Sequence, residues 1–180
     1  MAVVSGLSGA GKGTIMKRLL EKYPDDYSLS VSATTREPRP GETDGVEYFF
    51  VSASEFERMI EEGELLEHAN YVGNYYGTPK KWVKAQLESG KNVILEIEIQ
   101  GALQIKEIMP EAILIFILPP SMEELRRRLE GRGTETAEQI DKRLERAQEE
   151  MEFVDKYNFV IINEDVEKSV DLLHNIVSSK

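Results

Sequence analysis

Four short apolar runs, at residues 2–5, 93–99, 113–118 and 159–162, are rich in Val and Ile and are each followed closely by Gly, Pro or Asn. Runs of this length and composition read as buried central strands of a parallel sheet. Helical patterning occupies the intervals, over residues 12–22, 79–89, 101–109, 121–130, 137–154 and 166–177. Strand and helix in alternation imply right-handed crossovers that lay helices on both faces of one sheet, so the chain is expected to be α/β. Two segments break the rhythm. One, around residues 32–78, is rich in Tyr, Thr and Gly and carries a short alternating run at 46–51; it predicts a small β-rich lobe. The other, around 120–155, is highly charged and helical, with a Gly-Arg-Gly hinge at 131–133.

At 180 residues the chain is expected to form one domain, with a core from about 1–31, 79–119 and 156–180 and the two other segments as appended lobes. The composition, 41% hydrophobic and 31% charged, is that of a folded chain. The absence of cysteine excludes disulfides and thiolate metal sites, and two histidines, His68 and His174, are too few and too scattered for a metal cluster. No stretch reaches the ~20 apolar residues of a membrane span, and the N-terminus shows no signal-peptide pattern, so a cytoplasmic location is expected. A net charge of −11 argues against nucleic acid or an anionic membrane as partner. A polyanionic ligand therefore needs a local cationic pocket, which makes the placement of the arginines informative.

The first run opens into Gly6-Leu7-Ser8-Gly9-Ala10-Gly11-Lys12-Gly13-Thr14 and then a helix. Glycines in this setting let backbone N–H groups and a helix N-terminus converge on phosphate oxygens, while Lys12 reaches the β- and γ-phosphates. The stretch thus reads as a nucleoside triphosphate cradle. Gly13 replaces the usual Ser or Thr after the lysine, so the hydroxyl offered to Mg²⁺ must come from Thr14 or be replaced by water.

Downstream, Arg36 and Arg39 lie three residues apart near Pro38 and Pro40, beside the hydroxyls of Ser30, Ser32, Thr34 and Thr35. Their guanidinium forks suit one phosphate gripped bidentately; a solvated basic loop is the plainer alternative. Tyr48 and Tyr76, in Gly45-Val46-Glu47-Tyr48 and Gly73-Asn74-Tyr75-Tyr76-Gly77-Thr78, add hydroxyls for a phosphate and aromatic faces for a base. With the cradle, the Ser-x-Thr-Thr-Arg-x-Pro-Arg-x-Gly-Glu run, Gly-Asn-Tyr-Tyr-Gly-Thr and Gly-Arg-Gly-Thr-Glu, the sequence resembles the guanylate kinases in order over nearly its whole length.

The resemblance implies a P-loop kinase fold: a central parallel sheet flanked by helices, a GMP-binding lobe at about 32–78 and a helical lid at about 120–155. It implies ATP-dependent phosphorylation of GMP or dGMP, with ATP held by Gly6, Ser8, Gly9, Ala10, Gly11, Lys12, Gly13 and Thr14. Arg36, Arg39, Tyr48 and Tyr76 would then bind the GMP phosphate, and Ser32, Glu67 and Thr78 the guanine. Guanine offers N1–H and a 2-amino group side by side, which one carboxylate accepts together; adenine offers neither pattern, and such a pocket discriminates strongly. Taken alone, Glu67 also reads as a surface carboxylate following Glu61, Glu62 and Glu64.

In Glu96-Ile97-Glu98-Ile99-Gln100 the polar residues alternate, so Glu96, Glu98 and Gln100 are expected on one face at the carboxyl end of a strand, where ligands of open α/β sheets sit. Glu96 is the candidate to hold Mg²⁺ through water and Glu98 to join in guanine binding, although the family more often carries aspartate at the latter position. Arg128, Arg132 and Arg143 match family positions that contact the transferring phosphates, and with Lys12 and Arg36 they form the expected catalytic set. Arg126, Arg127, Lys142 and Arg146 read instead as helix-surface charges paired with glutamates. Asn163 falls where the family contacts adenine; a turn and helix cap explains Asn163 or Asp165 equally well. Rival expectations are a catalytically inert binding module of the same fold and a kinase for another nucleoside monophosphate. The oligomeric state is left open.

Overall fold

The computed structural model describes residues 1–131, 133 and 136–179. Five parallel strands form the main sheet: β1 (Ala2–Gly6), β2 (Tyr27–Leu29), β7 (Asn92–Glu96), β8 (Ile113–Leu118) and β9 (Phe159–Ile162), in the order β2-β7-β1-β8-β9. β1 and β8 sit at the centre because their side chains, Ala2, Val3, Val4 and the Ile113–Ile117 run, have no face that tolerates water; all are buried. Helices α1 (Lys12–Lys22), α3 (Lys80–Glu88), α4 (Ile99–Ile108) and α7 (Val166–Ser178) pack against this core through residues such as Leu19, Val83, Ile105 and Leu173.

A second, four-stranded sheet holds β3 (Ser32–Thr34), β4 (Tyr48–Phe50), β5 (Leu65–Tyr71) and β6 (Asn74–Pro79), in the order β4-β3-β6-β5. β5 and β6 form a hairpin across Tyr71 and Asn74. Its two-residue loop, Val72 at φ 50° and Gly73 at φ 77°, has the positive angles that match the twist of the strands. Helix α2 (Ala53–Glu61), capped by the Ser52 hydroxyl, covers this sheet with a small separate core of Ala33, Phe56, Met59 and Leu65. Helices α5 (Met122–Gly131) and α6 (Ala137–Met151) follow β8; α6 opens on a capping box between Thr136 and Gln139.

Two expectations are corrected. The strand expected over 93–99 ends at Glu96, and Glu98 becomes the N-cap of α4, so Gln100 lies in a helix and shares no strand face with Glu96. The 159–162 run is an edge strand: Ile161 is buried, but Phe159, Val160 and Ile162 are exposed, because β9 has a partner on one side only.

Candidate active site

The loop between β1 and α1 owes its path to glycine. Gly6 has φ 151°, and a side chain there would stand 2.2 Å from the Ile117 carbonyl oxygen. Gly11, the left-handed N-cap of α1 at φ 96°, abuts the Asn163 amide. No side chain caps α1 and no acid sits in its first turn, so its N–H groups and its positive dipole end remain available to an anion. Lys12 Nζ donates to the carbonyls of Gly6 at 2.6 Å and Leu7 at 3.2 Å.

The outer side of the loop is braced from two elements. Asn163, buried just after β9, donates through Nδ2 to the Ala10 carbonyl at 2.8 Å and accepts from the Ser169 hydroxyl at 3.2 Å. Arg128, on α5, donates to the carbonyls of Ala10 at 3.2 Å and Asn163 at 2.9 Å and pairs with Glu124 at 2.7 Å. Leu125 and Leu129 of the same helix lie against Gly9.

The inner side of the loop faces a cleft of about 450 Å³ between the two sheets, lined by Ser8 and Lys12 from the loop, Ser32, Arg36, Arg39, Tyr48, Glu67 and Tyr76 from the second sheet and its connections, Glu96 and Glu98 from the end of β7, and Arg143 from α6. Most of the expected site residues thus converge on one cavity. Thr78 reaches it indirectly, its buried hydroxyl donating to Glu67 Oε1 at 2.6 Å. Thr14 stands exposed on α1 and does not line the cleft, so of the two residues expected to hold the metal Glu96 is the one that faces it. Arg132 lies outside the described residues.

Arg36 is already oriented. Its guanidinium donates to the Glu37 carbonyl at 2.7 Å and to Glu42 Oε1 at 2.9 Å, and it lies 5.2 Å from the centre of the Tyr48 ring. Glu42 Oε2 also accepts from the Arg39 backbone N–H at 2.8 Å, so one carboxylate ties the Arg36 guanidinium to the main chain at Arg39; the Arg36 hydrogen bond holds its carboxyl below the ordinary range. Glu42 belongs to the motif read from the sequence, but its bracing role was not foreseen. Tyr71, Glu150 and the buried Ser5, which also line the cleft, carried no sequence signal.

Of the glutamates that line the cleft, three have carboxyls raised by burial. Glu67, only 4% exposed, is pushed up to about 7 by burial, against the lowering effect of Thr78. It is a wall of the cleft, not the surface group that its neighbours in sequence suggested. Burial also raises Glu96 and Glu98, with the Lys12 ammonium opposing. Glu98 lines the cleft but is exposed, so the effect of burial is the weaker there and Glu67 is the carboxyl it governs. The four cations expected to be surface charges do pair along their helices: Arg126 with Glu130, Arg127 with Glu124, Lys142 with Glu138 and Arg146 with Glu150. Arg146 additionally lies over the Tyr71 ring, 4.0 Å from its centre.

Among the described residues, no cluster of three or more His, Cys, Asp or Glu side chains forms a ready metal cage, and no helix is long and apolar enough to cross a membrane. A single carboxylate such as Glu96 beside a triphosphate cradle fits Mg²⁺, which is bound through one or two carboxylates, waters and substrate phosphates.

Comparison with known proteins agrees with this geometry. The guanylate kinase family model matches residues 1–180. The chain is 57% identical over 177 residues to a guanylate kinase of Caldanaerobacter subterraneus, spanning 98% of this chain and 85% of that one. It is 56% identical over 180 residues to the guanylate kinase of Clostridioides difficile, spanning 100% and 87%. The crystal structure of guanylate kinase from Anaplasma phagocytophilum superposes with a TM-score of 0.80 at 39% identity, covering 99% of this chain and 84% of that one. Matched over its whole length by the family model and more than half identical to these relatives, this chain belongs to the guanylate kinase family.

Proposed function

We propose that the chain transfers the γ-phosphoryl group of ATP to GMP, giving ADP and GDP, with dGMP as the corresponding deoxy substrate. The observation that carries this reading is that Lys12, Arg36, Arg39, Arg143 and Glu67 line the same cleft, so a triphosphate at the loop and a monophosphate at the arginines present their phosphates to each other. An oxygen of the GMP phosphate attacks the γ-phosphorus in line; that P–O bond forms as the bond to the β–γ bridging oxygen breaks, and the electron pair leaves with ADP. The attacking oxygen is already anionic at neutral pH, so no general base is needed. What the protein supplies is alignment and neutralisation of charge.

The loop residues Gly6, Ser8, Gly9, Ala10, Gly11 and Gly13 and the open end of α1 hold the ATP phosphates, with the Ala10 N–H closing the loop on Leu7, and Lys12 exchanges its loop carbonyls for phosphate oxygens. Thr14 extends this contact from the first turn of α1. Arg36, Arg39, Tyr48 and Tyr76 hold the acceptor phosphate; Ser32, Glu67, Thr78 and Glu98 form the guanine pocket. Arg128, Arg132 and Arg143 complete the cationic shell from the α5–α6 segment, which acts as a lid that excludes water from a reaction with a hydrolytic failure mode. Asn163 serves ATP by fixing the loop through Ala10, beside the expected adenine position. Glu96 is the residue that would hold Mg²⁺, through water, and the ion would supply neutralisation of phosphate charge. Residues about 32–78 then act as the acceptor lobe and the remaining segments as the core. A cytoplasmic location is part of this reading.

Lys12→Met is the direct test. Loss of the ammonium at the transferring phosphates should lower kcat by ~10²-fold or more, in the range of a single preorganised charge contact. Turnover within a few-fold of the parent would overturn the mechanism.

A further inference from the structure

The first turns of α4 are where the main core meets the strand that carries Glu67. Gln104 joins the two: its Oε1 accepts from the His68 N–H at 3.1 Å and its Nε2 donates to the His68 carbonyl at 2.7 Å. Three residues earlier, on the same face of the helix, Gly101 lies against the Glu67 side chain. A Cβ at Gly101 would stand 2.1 Å from Glu67 Oε2, 2.8 Å from Cδ and 3.3 Å from Cγ. Its three nearest neighbours therefore all belong to one carboxylate arm.

Backbone geometry does not call for glycine here. Gly101 is not among the positive-φ glycines and sits inside α4, where glycine is the poorest helix former after proline. Its distinguishing property is the missing side chain. The other oxygen of the same carboxylate, Oε1, is held by Thr78 at 2.6 Å, and Glu67 is buried, so the carboxylate is set between a hydroxyl on one side and a bare Cα on the other.

We propose that Gly101 is a positioning residue for guanine selection, its absent side chain forming the slot that fixes where Glu67 presents its carboxylate. This rests on the reading of Glu67 as the group that meets the purine edge. Carbon–oxygen contacts closer than about 3.3 Å are not sustained. A methyl group at 101 therefore displaces the carboxylate by about 1 Å, and a misplacement of that size can lower turnover as much as 10²-fold. Because the carboxylate faces the purine, the damage falls on the acceptor nucleotide and leaves ATP untouched.

The test is a kinetic cycle over the parent, Gly101→Ala, Glu67→Ala and the double variant, measured with GMP and with IMP, which keeps N1–H but lacks the 2-amino group. Gly101→Ala is expected to lower kcat/KM for GMP at least tenfold, to narrow the preference for GMP over IMP, and to leave KM for ATP within twofold. Added to Glu67→Ala, it should change kcat/KM by less than twofold, because it acts through a carboxylate that is gone. Multiplicative effects in the cycle, a parallel rise in KM for ATP, or unchanged GMP kinetics in an active Gly101→Ala enzyme would overturn the assignment alone. A parent that fails to phosphorylate GMP overturns the functional reading together with it. If Gly101→Ala does not fold, Gly101→Ala/Glu67→Asp must, since the shorter arm vacates the slot; failure of that variant to fold also refutes the proposal.

Discussion

Replacing Glu67 with glutamine should make the protein more stable and nearly inactive at once. In the folded chain burial lifts this carboxyl from an ordinary value near 4.5 to about 7. A carboxyl whose folded value lies above its unfolded one contributes stability that is fully present below the unfolded value, here about pH 4.5, and is lost as pH rises through the folded value. At pH 8 the parent therefore holds a buried carboxylate at a penalty of about 1.4 kcal/mol per unit of displacement, on the order of 3 kcal/mol in all. Glutamine keeps the shape and an oxygen to accept from Thr78 but has no charge to desolvate. The Glu67→Gln protein, free of nucleotide, should melt roughly 5–10 °C above the parent at pH 8. At pH 5 most of that gain should have gone, with about 1 kcal/mol left. Meanwhile its amide NH₂ opposes the donors of guanine, and kcat/KM for GMP should fall by ~10³-fold or more. Scanning calorimetry at the two pH values, paired with a coupled kinetic assay, reads both effects. A stability gain that is equal at pH 5 and pH 8, or a lower melting temperature at pH 8, would refute the reasoning.

The same carboxyl sets a pH profile. Guanine needs it ionised, so kcat/KM for GMP should fall about tenfold from pH 8 to pH 6, and that fall must be absent from Glu67→Gln. Glu42→Gln weakens the contact that orients Arg36 and braces Arg39; KM for GMP should rise about fivefold, the equivalent of ~1 kcal/mol, with KM for ATP unchanged in initial-rate measurements. Equal effects on both nucleotides would mean that Glu42 supports the fold and not the acceptor site.

The features readable in the sequence were those whose physics is local. The glycine loop announces itself because a strand, a turn with positive φ and an uncapped helix must follow in order, and the Ile113–Leu118 run has too few polar groups to be anything but central. β2 passed unnoticed because Tyr27-Ser28-Leu29 is three residues long with a polar centre, and it exists through pairing with β7. The alternation of Glu96, Glu98 and Gln100 looked like a strand face, but the chain turns at Ile97, whose carbonyl accepts from the buried Ser5 hydroxyl, and enters α4. Residues 159–162 are as apolar as a central strand, and only the strand order reveals them as an edge.

The site divides in the same way. Arginine, tyrosine and glycine motifs marked Arg36, Arg39, Tyr48 and Tyr76, whereas the burial of Glu67 depends on Thr78 of β6 and Gly101 of α4, which meet it only in the folded chain. Resemblance assigns Arg128 to the transferring phosphates, whereas its bonds to Ala10 and Asn163 follow from how α5 packs on the loop, which no spacing encodes.

The most direct measurement is ADP formation from ATP with GMP, AMP, UMP and dTMP supplied in turn at equal concentration. Guanine selection by a buried carboxylate predicts rapid ADP release with GMP and, with each of the others, a rate lower by ~10³-fold or more. A comparable or faster rate with any of the other three would contradict it.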